Sequence, residues 1–357
     1  MVEKKYLHLN ASFFTEEGVE IKQPVAAYEE YGNPEGPVVL LCHGGLSNQH
    51  AADVTDVDKA PGWWDKLVGP GNVFDTELFR ILSINAIGSI AGTTSASSVN
   101  PDTGKPYGKN FPYITMADHA NFLKQVLEQL GVKKLFWAAG LSMGSLAVMN
   151  LAVLYPEFVG AITPVASAAY MTVGGMAIHN CFIESIRQAE GWADGEDNNR
   201  AVRNAVGVMS MISKVYYTHY SLFENMTKDI HGQLERERFL TDYLAAGQEA
   251  YADGHNANAV ITCLRACNSY DIGKSYASLD EAFARLSMPA LVISTDTDPE
   301  FPPQYGQEIV DGINRHYPGN ASFHLLHSIY GHLACVLEGE QLKEAMMPFK
   351  EQLLKGC

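Results

Sequence analysis

Residues 133–155 read KKLFWAAGLSMGSLAVMNLAVLY and are followed by Pro156. The first eight, KKLFWAAG (133–140), contain a short apolar run of the length expected for a buried strand. The remainder is apolar all round, as a buried helix is, and Pro156 stops it. At the junction lies Gly140-Leu141-Ser142-Met143-Gly144, which fits G-x-S-x-G. A strand that turns this sharply into a helix needs glycines beside the serine, and the turn lifts the hydroxyl above the C-terminal edge of the sheet. The helix also aims the positive end of its dipole at that point. The bland alternative is an ordinary turn with a capping serine. The motif's place between strand and helix favours a nucleophile.

Working outward, VAAYEEYG (25–32), PVVLLCHGG (37–45) and FRILSINAIG (79–88) read as strands, the first two parted by the turn Asn33-Pro34-Glu35-Gly36. TMADHANFLKQVLEQL (115–130) reads as an amphipathic helix, begun by Thr115 and Asp118 and ended by Gly131. Further strands are expected at FVGAITPVAS (158–167), PALVISTD (289–296) and ASFHLLH (321–327), with helices at about 303–315 and at the C-terminal end. Such alternation predicts an α/β fold, a mostly parallel central sheet flanked by helices. Between 168 and 286 the pattern becomes helical, broken by the loop-like GWADGEDNN (191–199). The expected organisation is a core of residues 1–167 and 287–357 interrupted by a helical lid, 168–286. With the serine elbow, this is the layout of the α/β-hydrolase fold.

The chain has 357 residues, 46% hydrophobic and 18% charged, enough for one large core with an insertion. Its net charge of −16 argues against nucleic acid, which needs concentrated Lys and Arg. No apolar run is long enough to span a membrane, and no apolar stretch follows the N-terminal lysines as in a signal peptide. Cytoplasm is the expected location. Six cysteines form no CxxC pair; Cys263 and Cys267, four apart, suit one helix face as small buried residues. There is no HExxH, P-loop or GxGxxG after a strand, and Gly174-Gly175 reads as a helix break or a close contact rather than a phosphate cradle. Neither a metal nor a tightly bound cofactor is expected.

A serine hydroxyl is a poor nucleophile until a base takes its proton, and in this fold an acid and then a histidine follow it in chain order. His332, in SIYGHLA, follows the last expected strand. His43, His324 and His327 lie in or beside strands and read as structural. The acid lies in TDTDPEFPP, where spacing leaves Asp296 and Asp298 as alternatives. Acyl transfer passes through an oxyanion that two backbone N–H groups should stabilise. Met143 supplies one, and Gly45 in CHGGL (42–46) is the candidate for the other.

The chain resembles the homoserine O-acetyltransferases. The resemblance is carried by CHGGLSNQHAA (42–52), PGWWDKLVGPGNVFDT (61–76), SINAIGS, GTTSASSVNPDTGKPYGKNFP (92–112), GLSMGS, DPEFPP and YGHLA, most of the chain outside the lid. It implies acetyl transfer from acetyl-CoA through an acyl-serine to an alcohol, beneath a helical lid and commonly in a homodimer. It also implies Asp298 as the acid, three residues before the Phe of the FPP block. Three positions depart from the family. The aspartate that follows its histidine, and attends the amino group of homoserine, is here Leu333. A glycine after the nucleophile is here Ser145. The arginine motif of the lid survives only as Arg187 in SIRQAEGW, which could still hold a substrate carboxylate.

The expected activity is therefore acyl transfer through Ser142, with His332 as base and Asp298 orienting it. Its partners would be a small-molecule acyl donor and an alcohol acceptor other than homoserine. A carboxylesterase, with water as acceptor, shares every step up to the acyl-serine. A non-catalytic binding protein on this fold would have no use for the full set of residues.

Overall fold

The computed structural model describes residues 3–53, 61–193 and 199–356. Its centre is an eight-stranded sheet: β1 (Lys5–His8), β2 (Val25–Gly32), β3 (Val38–Cys42), β4 (Arg80–Ile84), β5 (Trp137–Leu141), β6 (Ile162–Val165), β7 (Ala290–Thr295) and β8 (Ala321–Leu326). Their order across the sheet is β1-β2-β4-β3-β5-β6-β7-β8. Only β2 runs against the others, pairing antiparallel with β1 and β4. From β4 to β8 every neighbour is parallel, so each step needs a crossover, and the intervening helices cover both faces.

On one face pack α1 (Met116–Gln129) and α2 (Met143–Leu154). Thr115 caps α1 in a reciprocal pair with Asp118, as the sequence predicts. Eleven of the twelve residues of α2 are buried, which explains its apolar circumference. The opposite face buries Trp64, Phe74 and Trp137.

Among its described residues, the connection from β6 to β7 carries seven helices: α3 (Val173–Arg187), α4 (Arg200–Tyr216), α5 (Tyr220–Thr227), α6 (Gln233–Ala245), α7 (Gln248–Gly254), α8 (Ala257–Asn268) and α9 (Leu279–Phe283). Phe182, Ile186, Val206, Met209, Val260 and Leu264 bring α3, α4 and α8 together in a small core of their own. Of the loop expected at 191–199, residues 191–193 form a turn and 194–198 lie outside the described residues. After β7 come α10 (Pro303–His316), the short α11 (Ala334–Leu337) and α12 (Gly339–Lys355). Among the described residues no helix is long and apolar enough to cross a membrane.

Most expected strands are shorter in the structure. The run 158–167 is strand only at Ile162–Val165, and 79–88 only at Arg80–Ile84, where Asn85 turns the chain by donating to the carbonyl of Ile90.

Candidate active site

The parallel strands end on one edge of the sheet, and β5 delivers Ser142 there. Its backbone has φ 51° and ψ −126°, a conformation that L-residues rarely adopt. Two close approaches make this turn possible. A Cβ on Gly140 would lie 2.4 Å from the carbonyl oxygen of Gly144, and one on Gly144 would lie 2.1 Å from that of Cys42. Ser145, which departs from the family's glycine, is fully buried, and its hydroxyl donates to the Ser142 carbonyl at 2.6 Å. The departure thus adds a strut to the elbow.

Beyond β8, His332 sits in a single 3-10 turn, Gly331–Leu333. Its Nε2 lies 2.8 Å from Ser142 Oγ, and its Nδ1 lies 2.9 Å from Asp298 Oδ2. The other oxygen of Asp298 accepts from the backbone N–H groups of Glu300 and Phe301 at 2.8 and 3.0 Å. The carboxylate is therefore fixed before it meets the imidazole. Asp296, two residues earlier, points elsewhere and pairs with the exposed His327 at 2.8 Å. His43 is locked into the chain: Nδ1 donates to the Gly44 carbonyl and Nε2 accepts from the N–H of Ala86. Burial drives its pKa down to about 4, so it stays neutral and braces the loop that carries Gly45.

Above these groups lies a largely apolar cavity of about 250 Å³. Gly45, Met143 and Leu333 line it beside Ser142 and His332; Met171, Phe182, Met209, Tyr251 and Leu264 from the helical connection form its roof. Arg187 is not among the lining residues. It pairs with Glu184 one turn back in α3 and lies over the ring of Trp192, beside a separate surface pocket. The structure thus sets Arg187, at the C-terminal end of α3, among the residues of that surface pocket and apart from the lining around Ser142. Cys263 and Cys267 are buried thiols on α8 that line the same cavity. Among the described residues no group of His, Cys, Asp and Glu is arranged to hold a metal ion.

Sequence reasoning missed two residues here. Glu300 is 3% exposed, and its carboxylate lies 3.1 Å from His332 Nε2 and 3.0 Å from His179 Nε2. His179 in α3 also bonds Asn268 Oδ1 through Nδ1 at 2.9 Å. Tyr217 Oη lies 3.4 Å from the same Nε2, and the Glu300 carboxylate favours a positive charge on the ring. Burial opposes that charge, but Glu300 outweighs it and raises the pKa. The signal for His179 was its spacing with Phe182, Ile183 and Ile186, which puts a histidine on the buried face of an amphipathic helix. For His332 burial likewise opposes protonation, and Asp298 and Glu300 together lift its pKa to about 9.

A family described as the alpha/beta hydrolase fold matches residues 37–338. The chain is 30% identical to the homoserine O-acetyltransferase of Deferribacter desulfuricans over 99% of this chain and 96% of that protein. Identity to the homoserine O-acetyltransferase of Moorella thermoacetica is 32%, over 99% and 97%. Among solved structures, esterase E22 superposes with a TM-score of 0.88 at 26% identity, covering 98% of this chain and all of that one. A homoserine O-acetyltransferase from Bacillus anthracis superposes at 0.91 with 24% identity over 98% of each chain, a likeness of fold.

Proposed function

The chain belongs to the α/β-hydrolase-fold family and, within it, to the homoserine O-acetyltransferases as a divergent member; from that premise we propose that it transfers a short acyl group through an acyl-Ser142 intermediate. The observation that carries the reading is the continuous set Ser142 Oγ, His332 and Asp298, joined at 2.8 and 2.9 Å beneath one cavity. His332 would take the serine proton during attack and return it to the leaving group, while Asp298 holds the ring's orientation and stabilises its charged form. Met143 and Gly45, both facing the cavity, would offer their N–H groups to the oxyanion. Acetyl-CoA is one candidate donor, and a small ester another.

The acceptor differs from homoserine in this reading. A zwitterion entering an apolar cavity needs both charges paired. Leu333 has no charge to offer an ammonium, the carboxylate of Glu300 is paired on one oxygen with His179, and Arg187 stands outside the cavity. These same features favour a second reading, hydrolysis of short-chain esters with water as acceptor.

The test is intact-mass measurement of the enzyme mixed with p-nitrophenyl acetate or acetyl-CoA, with and without homoserine and neutral alcohols. We expect an acetyl adduct that is absent in Ser142→Ala, together with a loss of turnover of several orders of magnitude. Unchanged turnover in Ser142→Ala would overturn the mechanism. Efficient acetylation of homoserine by the wild type, with no gain in Leu333→Asp, would overturn the acceptor assignment.

A further inference from the structure

Glu300 has no part in the acylation step proposed above, yet its carboxylate lies 3.1 Å from Nε2 of the base. In the tautomer that can activate Ser142, Nδ1 of His332 carries the proton toward Asp298, and Nε2 presents a lone pair. Glu300 Oε2 lies 3.1 Å from that lone pair and presents another. Two acceptors side by side, facing the nucleophile, form a slot for hydrogen donors. Once Ser142 is acylated its hydroxyl has gone, and the slot is free for whatever attacks the ester. Water brings two O–H groups and can satisfy both acceptors. A simple alcohol brings one, and its alkyl group would sit against a buried carboxylate, stripping that oxygen of its partner.

We propose that Glu300, held in place by His179, orients the water that deacylates Ser142 and so selects hydrolysis over transfer to simple alcohols. The proposal rests on the acyl-serine reading. In the step itself the water oxygen bonds to the acyl carbon while His332 Nε2 takes one of its protons. The second hydrogen stays on the oxygen and donates to Glu300. The tetrahedral adduct then breaks its bond to Oγ, His332 returns the proton to Oγ, and the carboxylic acid leaves. Glu300 accepts a hydrogen bond throughout and gains no proton. The built character of the pair supports the role. The carboxylate is paired on its far oxygen with the buried His179 ring, which is in turn held by Asn268. Such a chain fixes the near oxygen relative to Nε2.

Glu300 also acts on the base at rest. His332 faces Asp298 at Nδ1, Ser142 and Glu300 at Nε2, and the rings of Tyr217 and Phe301; the His179 ring stands behind Glu300. With two carboxylates raising its pKa to about 9, the base form grows as pH rises toward that value. The kcat/KM for ester therefore climbs through neutral pH, and loss of the Glu300 charge moves that limb to lower pH.

The experiment uses the full chain with p-nitrophenyl acetate, following acylation and deacylation separately and measuring acetate against ethyl acetate in added ethanol. In Glu300→Gln we expect acylation at neutral pH to be retained or faster. Hydrolytic deacylation should fall roughly ten- to a hundredfold, the loss expected for a hydrogen bond to a charged group. The acetyl-enzyme should persist in intact-mass spectra, and the ethanol-derived share should rise. If Glu300→Gln does not fold, the double variant Glu300→Leu/His179→Leu removes both charges together and serves instead. Acylation and deacylation falling in step, or an unchanged ratio of acetate to ethyl acetate, overturns the proposal. Failure to trap an acetyl-enzyme in either wild type or variant overturns the acyl-serine reading itself.

Discussion

At the scale of single residues, the clearest contrast is between two aspartates two positions apart. Asp298 is buried, holds two backbone N–H groups and faces His332. Asp296 binds an exposed histidine at the surface. We expect Asp298→Asn to lower kcat by on the order of a thousandfold or more, since the imidazole loses its orienting charge. Asp296→Asn should change it less than about twofold, because a solvent-exposed pair contributes little. Steady-state kinetics on the two variants checks this, and a reversed order would exchange their roles. Motif order alone left both open, because each follows β7. What separates them is the direction of a side chain, which a sequence does not display. Glu300 and His179 were hidden for a related reason: they are far apart in the chain, and only the docking of α3 onto the loop after β7 pairs them.

Among elements, the strands and helices that build the sheet were legible because each carries a strong hydrophobic period or run. Weaker pieces were not. The hairpins 13–14 with 20–21 and 99–100 with 105–106 are two residues per strand, too short to show any period. β1 is mostly exposed and looks like a tail until it pairs with β2. The turn that carries His332 also has a requirement that no pattern reveals. Gly331 has φ 59°, and a Cβ there would lie 2.6 Å from the backbone oxygen of Tyr217. Both the left-handed conformation and the contact exclude a side chain. Gly331→Ala should displace His332 and reduce kcat/KM at least about tenfold while leaving the sheet folded. Ester hydrolysis together with far-UV circular dichroism tests this; full activity would show that the turn can relax.

For the whole molecule, the helical segment between β6 and β7 presents one face to the cavity and another to solvent. Its inner side roofs the cavity. Its outer side includes Val208, Ile212 and Val215 on α4, each more than two-fifths exposed and spaced along one helical stripe. A second copy of the chain is the occupant expected for this stripe, given the homodimers that the family resemblance implies. Sedimentation should find a dimer in the wild type and a monomer in Ile212→Lys/Val215→Lys. A monomeric wild type would remove the expectation.

Tyr217, at the end of that same helix, receives the backbone N–H of His332 at 2.8 Å and sets its ring beside the imidazole. The reaction centre is thus divided along a seam. Ser142 and Asp298 follow strands of the sheet, whereas His332 is tethered to the helical segment as well. Any displacement of α4 away from Ser142 would draw on the bond from His332 N–H to the Tyr217 carbonyl. The position of His332 is thereby tied to that of the helices over the cavity, and a change in one is passed to the other through a single hydrogen bond.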